Sequence, residues 1–400
     1  MAVDTVVIGS GAFGGSTAFH LAAAGRSVVL IDGHEPGSQT SPRAAGLATA
    51  VHGNDAGVAV ARRSLDKLHN FERETGLPLP LHVTGSVKVA RRPEHVAIVE
   101  AELARGLSLG LDVVALSAGE VAERGPFVVS DEVLAAVWCP DDLYLDPAAL
   151  TSSFIAAAMH RGTRVLSGSP VADVQPSSAG FLTALEDGST IESRTVVNAA
   201  GAWCRPLAAR SGVDVPALPI RHQLLITAPL PQVTADMPCV RIIDTQCYMR
   251  PASGGLMFGA YERDPVGPDE RLQPSNISNL ALDAAPLRAL MADCNLASWV
   301  LDADVSVLRG GLPTMTPDGG WLVGETPELP GYFVLNGDNV AGLSTSPALG
   351  EALAQQIITG TTPDLIKPYG LNRIPAADRE PERLRQLCRE RYVARYVDHG

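Results

Sequence analysis

Three glycines near the start of the chain separate two different local patterns. Residues 5–8 form a short β-branched run that predicts a strand, and residues 12–24 have the length and apolar content of a helix that Gly25 ends. Residues 27–31 form a second β-branched run, which closes at Asp32. The order predicts a β-α-β unit, the building block of α/β folds.

The glycines belong to the sequence Gly9-Ser10-Gly11-Ala12-Phe13-Gly14, between the first strand and the helix. The first glycine permits a tight turn, the second lets a pyrophosphate approach the backbone, and the third allows close packing of helix on strand. The helix N-terminus offers N–H groups to phosphates, and Asp32, 23 residues after Gly9, is placed to accept from ribose hydroxyls. The pattern predicts dinucleotide binding; the alternative is a glycine-rich turn that only packs.

Length and composition exclude several other classes of protein. A chain of 400 residues exceeds what one hydrophobic core usually holds, so two domains are expected. The net charge of −13 and the lack of a long basic run argue against a nucleic-acid partner. The six scattered cysteines contain no CxxC pair, so neither a metal site nor a disulfide framework is predicted. The same cysteine pattern fits a reducing cytoplasm. No membrane span is expected, because no apolar stretch reaches about 18 residues.

The remainder of the chain alternates between helical and strand-like segments. Helices are predicted over residues 54–75, 93–109, 147–160 (with Asp146 as N-cap) and 276–294. Strands are predicted over residues 81–90, 133–138, 164–166, 171–174, 181–185, 195–198 and one or two within 322–338, with a β-rich region at 220–260. From residue 376 a tail carries Leu384, Leu387, Cys388, Tyr392 and Tyr396 on one helical face. This tail packs on its own subunit or forms an oligomer contact.

Further blocks follow the glycine motif in a fixed order. They cover residues 196–203, 219–223, 248–251, 254–259, 314–318 and 336–342. In order and spacing they resemble the D-amino-acid oxidase superfamily of FAD-dependent oxidoreductases, nearest the group of sarcosine oxidase, dimethylglycine dehydrogenase and glycine oxidase. The resemblance extends from Val3 to about Tyr369.

The resemblance implies an α/β plus α+β fold, in which a Rossmann-type FAD-binding domain is interleaved with an antiparallel-sheet substrate domain. Residues 1–75, 145–217 and 306–370 are then assigned to the FAD domain, residues 76–144 and 218–305 to the substrate domain, and residues 371–400 to the helical tail. A helix predicted over residues 347–358, with Ser346 as N-cap, supports flavin over nicotinamide, because its dipole would stabilise the negative charge of a reduced flavin. The alternative is a surface helix with a good cap.

The same resemblance implies which residues contact FAD. They lie in the glycine motif, the loops after the early strands and the late glycine-rich loop. They are Gly9, Gly11, Ala12, Phe13, Gly14, Asp32, Gly33, Ser41, Arg43, Ala44, Ala45, Gly46, Leu47, Val171, Ala200, Gly201, Trp203, Gly311, Gly337, Asp338, Asn339, Val340, Ala341, Gly342, Leu343 and Ser344.

Candidate catalytic residues match the substrate-sheet blocks of the same group. His222 matches a histidine beside the flavin, where a neutral imidazole positions the amine or takes its proton; the alternative is a satisfied core histidine. Tyr248 matches an active-site tyrosine, although a buried structural tyrosine is equally common in strands. Arg250 lies on the same strand face, so the two together predict a carboxylate clamp, unless Arg250 pairs with a structural acid.

Departures from the family pattern narrow the expected chemistry. Arg43 and Gly311 stand where covalent members carry the attaching histidine or cysteine, so FAD is expected to be non-covalent. Met257 replaces the lysine that speeds reaction with oxygen in monomeric sarcosine oxidase, which favours a dehydrogenase with another acceptor. Pro313 replaces the arginine of D-amino-acid oxidases, which favours a secondary or tertiary amine over a primary D-amino acid.

These expectations combine into one functional hypothesis. The substrate is a small amine or amino acid, N-methylated or an imino acid, which loses a hydride from the C–H next to nitrogen to flavin N5. The resulting imine is hydrolysed, and the electron acceptor is O2 or another redox partner. The alternatives are oxidation of a primary D-amino acid or a 2-hydroxy acid on the same scaffold, or a flavin-binding subunit of a larger complex.

Overall fold

The computed structural model describes residues 2–269 and 273–396. Its strands, numbered along the chain, are β1 (Val3–Ile8), β2 (Val28–Ile31), β3 (Leu47–Ala48), β4 (Leu81–His82), β5 (Ser86–Ala90), β6 (Val114–Ala115), β7 (Ala135–Cys139), β8 (Leu143–Leu145), β9 (Arg164–Leu166), β10 (Val171–Ser177), β11 (Gly180–Leu185), β12 (Thr190–Asn198), β13 (Leu218–Pro219), β14 (His222–Thr227), β15 (Cys239–Ile242), β16 (Cys247–Ala252), β17 (Gly255–Ala260), β18 (Val305–Gly311), β19 (Thr314–Met315), β20 (Leu322–Glu325) and β21 (Tyr332–Asn336).

The helices follow the same numbering. They are α1 (Ala12–Ala23), α2 (Asp55–His69), α3 (Phe71–Thr75), α4 (Pro93–Ser108), α5 (Ala118–Arg124), α6 (Pro147–His160), α7 (Cys204–Arg210), α8 (Ala284–Asp293), α9 (Ser298–Leu301), α10 (Gly342–Thr359), α11 (Ala376–Arg379) and α12 (Pro381–Val393). Among the residues described, no helix combines the length and apolar character needed to cross a membrane.

The predicted β-α-β unit is confirmed as β1, α1 and β2, which belong to a sheet with the order β10-β11-β12-β1-β2-β9 and with β21 and β20 continuing beside β12. β1 pairs in parallel with both β2 and β12, so that Ile8 lies beside Ile31 and Asn198. The carboxyl ends of three strands therefore meet at one edge, where ligands of such sheets bind.

A second sheet has the order β18-β14-β17-β16-β15-β5-β7-β6 and is antiparallel except for the pair β15 and β5. One face packs against α8 through Leu287, Leu290 and other buried apolar residues. The register aligns Lys88, Arg241, Tyr248 and Gly259 in one row across the opposite face. The predicted fold class, a Rossmann-type sheet plus a largely antiparallel sheet, is confirmed.

The division into domains stays a prediction, and two strands bear on where it should be drawn. β18 pairs with β14 in the second sheet, although most of it lies after the predicted boundary at residue 306. The predicted strand over residues 81–90 is two strands in different sheets, β4 and β5. Gly85 separates them with φ of 71°, a left-handed conformation in which any side chain would also overlap the Trp138 ring.

The predicted helix over residues 276–294 is wrong in its first part. Asn276 caps only a single 3₁₀ turn, Ile277–Asn279, and the backbone is extended at Leu280. The helix begins at Ala284, because the Asp283 side chain accepts a hydrogen bond from the backbone N–H of Ala285 at 2.9 Å. Asn276 and Asp283 therefore each begin a separate short element, where the sequence predicted one long helix.

The tail packs on its own chain, the first of the two alternatives for it. Leu384, Cys388 and Tyr392 of α12 are buried against the cavity side of the second sheet, in one cluster with Ile220 and Met315. Leu387 and Tyr396 are half-buried, and residues 397–400 of the predicted tail lie outside the described residues. The apolar face of the tail therefore packs against other residues of the same chain.

Candidate active site

A cavity of about 1000 Å³ lies between the two sheets. Its walls include the carboxyl edge of the first sheet, the start of α10 and one face of the second sheet. This volume is at the upper end for small-molecule sites, as an elongated dinucleotide cofactor with a substrate beside it requires.

The glycine motif shapes one end of the cavity. Gly9 has φ of 95°, and a Cβ there would lie 2.5 Å from the carbonyl oxygen of Ala199. A Cβ on Gly11 would lie 2.9 Å from Ser41 Oγ, and one on Gly14 would overlap the carbonyl oxygen of Gly9. Each glycine therefore serves the role predicted from its position: a tight turn, an open backbone surface, and helix packing on the strand.

Asp32 lines the cavity at the end of β2, but its carboxylate is already engaged. Its Oδ2 accepts hydrogen bonds from the N–H of Ser10 at 2.8 Å and from Ser10 Oγ at 2.5 Å. Its Oδ1 accepts from the N–H of His34 at 2.9 Å. A carboxylate has about four acceptor positions, so one remains for a ribose hydroxyl, and the other three hold the turn together.

The late glycine-rich loop forms a second strained turn on the cavity wall. Gly337, Asn339 and Val340 have φ of 66°, 46° and 65°, and a β-branched residue such as Val340 rarely adopts that region. The Asp338 carboxylate holds the loop by accepting from the N–H of Thr314 at 3.0 Å and from the N–H of Val340 at 2.9 Å. Burial raises the pKa of Asp338 to about 6, although these two hydrogen bonds act to lower it.

The predicted start of the late helix is wrong, because α10 begins five residues earlier than the Ser346-Pro347 pair suggests. Proline has no N–H to donate to the carbonyl of Leu343, but the Ser346 hydroxyl donates to that oxygen at 2.9 Å and compensates. The helix N-terminus at Gly342, Leu343 and Ser344 lines the cavity. The dipole argument for a flavin therefore holds at a different turn.

Most of the predicted cofactor residues come together on the cavity wall. Those that line it are Gly9, Gly11, Ala12, Phe13, Asp32, Gly33, Ser41, Arg43, Ala44, Ala45, Gly46, Leu47, Val171, Ala200, Gly201, Trp203, Gly311, Asp338, Asn339, Val340, Ala341, Gly342, Leu343 and Ser344. Gly14 and Gly337 lie behind the wall, where they allow close backbone packing. The guanidinium of Arg43 donates to the backbone carbonyls of Ser38 and Gln39, so it shapes its own loop.

His222, the first residue of β14, lines the cavity between two phenols. Its Nδ1 is 2.8 Å from the hydroxyl of Tyr392, and its Nε2 is 2.7 Å from the hydroxyl of Tyr248. Burial lowers the pKa of His222 to about 3, so the imidazole is neutral at physiological pH. A neutral imidazole carries one N–H, hence one phenol donates to the ring and the other accepts from it.

Tyr248 lies on β16 and also lines the cavity. Its ring occupies the space above Gly259 on the neighbouring strand, and a Cβ at position 259 would overlap that ring. Burial raises the pKa of Tyr248 well above its usual value, so the phenol keeps its proton. The hydroxyl is thus a neutral donor and acceptor next to the His222 ring.

Two predicted catalytic residues do not line the cavity, and the predicted carboxylate clamp of Tyr248 with Arg250 is corrected accordingly. The Arg250 guanidinium donates to the carbonyls of Ala45 at 2.6 Å and Pro251 at 2.7 Å and lies over the Tyr144 ring. Its length carries it past the strand face to the loop at residue 45, which it holds in place. Met257 is fully buried in the same apolar cluster as Tyr392 of α12.

The structure adds four residues that the sequence reasoning missed as site residues. Tyr261, Tyr396 and Arg241 line the cavity, and Tyr392 reaches His222 from behind. The Tyr261 ring lies 5.1 Å from the His222 ring and 5.2 Å from the ring of Tyr396, measured between centroids. Side chains alternate along a strand, so residue 261 lies on the same face as Gly259, and this alternation could have predicted Tyr261 as a site residue. Tyr392 is 170 residues from its partner His222, and no local pattern in the sequence links the two.

The residues of this cavity fit FAD. The glycine cradle and the N-terminus of α1 suit a pyrophosphate, because both leave backbone N–H groups open toward the cavity. The N-terminus of α10 suits the pyrimidine end of a flavin. Gly311 lies opposite His222 in the sheet and, as glycine, has no side chain through which a flavin could be attached.

Comparison with known proteins agrees with this geometry. The family described as "FAD dependent oxidoreductase" (DAO) matches residues 4–356. The chain is 30% identical over 366 residues to 4-methylaminobutanoate oxidase (formaldehyde-forming) of Paenarthrobacter nicotinovorans, a match that covers 90% of this chain and 44% of the relative. It is 28% identical over 386 residues to mitochondrial dimethylglycine dehydrogenase of Rattus norvegicus, covering 91% of this chain and 44% of that relative.

The chain therefore spans less than half the length of these two relatives. Among solved structures, L-proline dehydrogenase of P. horikoshii superimposes with a TM-score of 0.83 at 24% identity, over 93% of this chain and 97% of that one. This similarity concerns the fold. The cofactor cavity, the strand order and the family match over most of the sequence lead to one assignment: the chain belongs to the DAO family of FAD-dependent oxidoreductases.

Proposed function

We propose that this protein oxidises a secondary or tertiary amino acid, an N-methyl or imino acid, at the C–H next to nitrogen, to an imine that water hydrolyses. Bound FAD would supply the hydride acceptor. The residues predicted to contact FAD and the residues on the second sheet would then face the same substrate from opposite sides of the cavity.

The observation that carries the proposal is the neutral His222 held between the hydroxyls of Tyr248 and Tyr392 on the cavity wall. An amine is largely protonated in neutral water, and in the ammonium form the nitrogen lone pair is used in an N–H bond and cannot assist removal of the hydride. A neutral imidazole that is hydrogen-bonded to Tyr248 through Nε2 adds no positive charge to the cavity wall and fixes the Tyr248 hydroxyl, which suits a site that holds the amine in its neutral form. An alcohol substrate would need a stronger base than this arrangement offers.

The surroundings of His222 also suit methylated nitrogen. Tyr248, Tyr261 and Tyr396 line this part of the cavity with aromatic rings. Aromatic faces attract ammonium and methylammonium groups while they exclude water. The two sequence relatives, a methylaminobutanoate oxidase and a dimethylglycine dehydrogenase, are both named for N-methylated substrates, which supports the same interpretation.

The test is bleaching of the flavin under anaerobic conditions by sarcosine, dimethylglycine, proline, D-alanine and 2-hydroxyglutarate. We expect bleaching by one or more of the first three compounds. His222→Ala and Tyr248→Phe should each slow it, because each removes one member of the hydrogen-bonded pair that would position the amine. Bleaching by D-alanine or 2-hydroxyglutarate alone would contradict the substrate class, and unchanged rates in both variants would remove these two residues from the mechanism. Repeating the reaction in air distinguishes an oxidase from a dehydrogenase.

A further inference from the structure

Seven cationic side chains line the cavity among the residues that the structure describes: Arg43, Lys88, Arg210, Arg241, Arg373, Arg391 and Arg395. Six of them have an assigned partner within the chain. These are the carbonyls of Ser38 and Gln39 for Arg43, Glu102 for Lys88, the carbonyl of Ala172 for Arg210, Asp318 for Arg373, the carbonyl of Pro317 for Arg391, and the Tyr261 hydroxyl for Arg395.

Arg241 differs from the other six. It is only 8% exposed, yet its guanidinium makes no hydrogen bond to any described residue and no ion pair within 4.0 Å. Burying a guanidinium without partners is costly, so its five donors need an acceptor, and none of the described residues provides one. Since Arg241 lines the cavity, that acceptor would come from the cavity.

The charge of Arg241 is nevertheless maintained. Burial opposes it, but Tyr396, Asp142 and Glu102 are near enough to hold the pKa of Arg241 above its usual value. No hydrogen bond joins Asp142 to the guanidinium, and the oxygens of Asp142 accept instead from Ser86 Oγ and from the N–H of Ala50. The arginine therefore keeps a full charge and free donors.

The position of Arg241 relates it to the proposed chemistry. It lies on β15 directly opposite Tyr248 on β16, and side chains of such antiparallel pairs start about 5 Å apart. Tyr248 in turn contacts Nε2 of His222. A molecule with its amine at Tyr248 and His222 thus has Arg241 within the reach of a second functional group.

We propose that Arg241 binds the carboxylate of the substrate, the role that the sequence had given to Arg250. The inference rests on the proposed function and deepens it, because it names the residue that would recognise the carboxylate of the amino acid. The planar guanidinium can donate two parallel hydrogen bonds to a carboxylate, which fixes the orientation of the substrate as well as its charge. Arg250 is excluded from this role by its bonds to Ala45 and Pro251.

The test measures binding separately from turnover. Methoxyacetate has the size of an N-methyl amino acid and a carboxylate, but no oxidisable amine. Its Kd for the FAD-loaded protein is measured by calorimetry in the natural protein and in Arg241→Gln, Arg241→Lys and Arg373→Gln. We expect Kd to rise about 100-fold in Arg241→Gln and about tenfold in Arg241→Lys, which keeps the charge but loses the second hydrogen bond.

Arg373→Gln is the matched control, because it removes the same charge from another cavity-lining arginine, one that Asp318 already pairs. Its Kd for methoxyacetate should stay within about twofold of the natural value. A second measurement compares kcat/KM for sarcosine and for dimethylamine, which is sarcosine without its carboxylate. The preference for sarcosine should fall about 100-fold in Arg241→Gln, with dimethylamine little affected.

Several results would overturn the assignment. An unchanged Kd for methoxyacetate in Arg241→Gln would do so. If the flavin reduction potential also shifted in that variant, Arg241 would be assigned to the flavin instead. If Arg241→Gln fails to retain FAD, an unchanged Kd in Arg241→Lys overturns it equally. Binding that depends on Arg241 while no amine is oxidised would support this inference and contradict the proposed function.

Discussion

Replacement of Tyr392 by phenylalanine tests whether the last described helix completes the active site. The Tyr392 hydroxyl is fully buried and lies 2.8 Å from Nδ1 of His222. Removing it leaves that nitrogen without a partner among the described residues, in a buried environment. The substitution changes one oxygen and leaves the packing of the ring against its neighbours intact.

The structure gives the size of the expected effect. A buried polar atom that loses its partner costs about 1 to 3 kcal/mol of stability. The backbone N–H of Glu262 donates to the Tyr392 oxygen and acts to lower the pKa of that phenol, so the hydroxyl hydrogen points to Nδ1 of His222. The ring proton is then on Nε2, facing Tyr248. Losing one of the two bonds that orient the ring, worth about 1 to 1.5 kcal/mol, should slow flavin reduction about fivefold to tenfold.

Two measurements and one control decide the matter. The free energy of unfolding is obtained from urea denaturation, and the rate of anaerobic flavin reduction from stopped-flow mixing with the best substrate. Tyr332→Phe is the matched control, because it removes another fully buried hydroxyl, one that accepts from Asn198 at 2.9 Å away from the cavity. It should cost similar stability at an unchanged reduction rate. Equal slowing in both variants, or no change in Tyr392→Phe, would refute the reasoning.

Three further predictions concern the same site. Gly259→Ala should displace the Tyr248 ring and slow flavin reduction at least tenfold with FAD still bound, as stopped-flow mixing measures, whereas Gly119→Ala, in open space on α5, should have no effect. His222 has a pKa of about 3 in the folded protein against about 6.5 unfolded, so the unfolded state binds more protons in this range. The natural protein should therefore lose about 1.4 kcal/mol of stability per pH unit below 6.5 relative to His222→Gln, in urea titrations that use His160→Gln as control. Acid precipitation should release all flavin into the supernatant, as expected of a non-covalent cofactor.

Each of these predictions has an outcome that contradicts it. Normal reduction kinetics in Gly259→Ala would show that the Tyr248 ring does not need its present position. A stability difference between the natural protein and His222→Gln that is independent of pH would mean that the histidine is not buried in its neutral form. A yellow pellet after acid precipitation would indicate a covalent bond to FAD elsewhere in the cavity.

Local sequence patterns predicted the parts of the fold that local physics determines. The β-α-β unit, its glycine turn and the Asp146 cap of α6 follow from side-chain types within a few residues of one another. The start of α10 was misplaced for the same reason, since Ser346-Pro347 is locally typical of a helix start. The compensating bond from Ser346 to Leu343 becomes visible only with the backbone in place.

The site was harder to predict where a side chain finds its partner across the chain. Alternation along β16 placed Tyr248 and Arg250 on one face correctly, but the partner of Arg250 is the carbonyl of Ala45, 205 residues away. Arg241 stands out because no described residue bonds to its guanidinium, and a sequence cannot show such an absence. Likewise, the contact of Tyr392 with His222 depends on how the tail folds back over the second sheet.

The contribution of Tyr392 also orders events during synthesis of the protein. The segments that form the glycine cradle leave the ribosome long before residue 392, so a nascent chain can acquire its cofactor while His222 still lacks one of its two phenols. A partly made chain would then hold a flavin beside a His222 ring that only Tyr248 orients. Flavin reduction by the proposed substrate would be about fivefold to tenfold slower until α12 has docked.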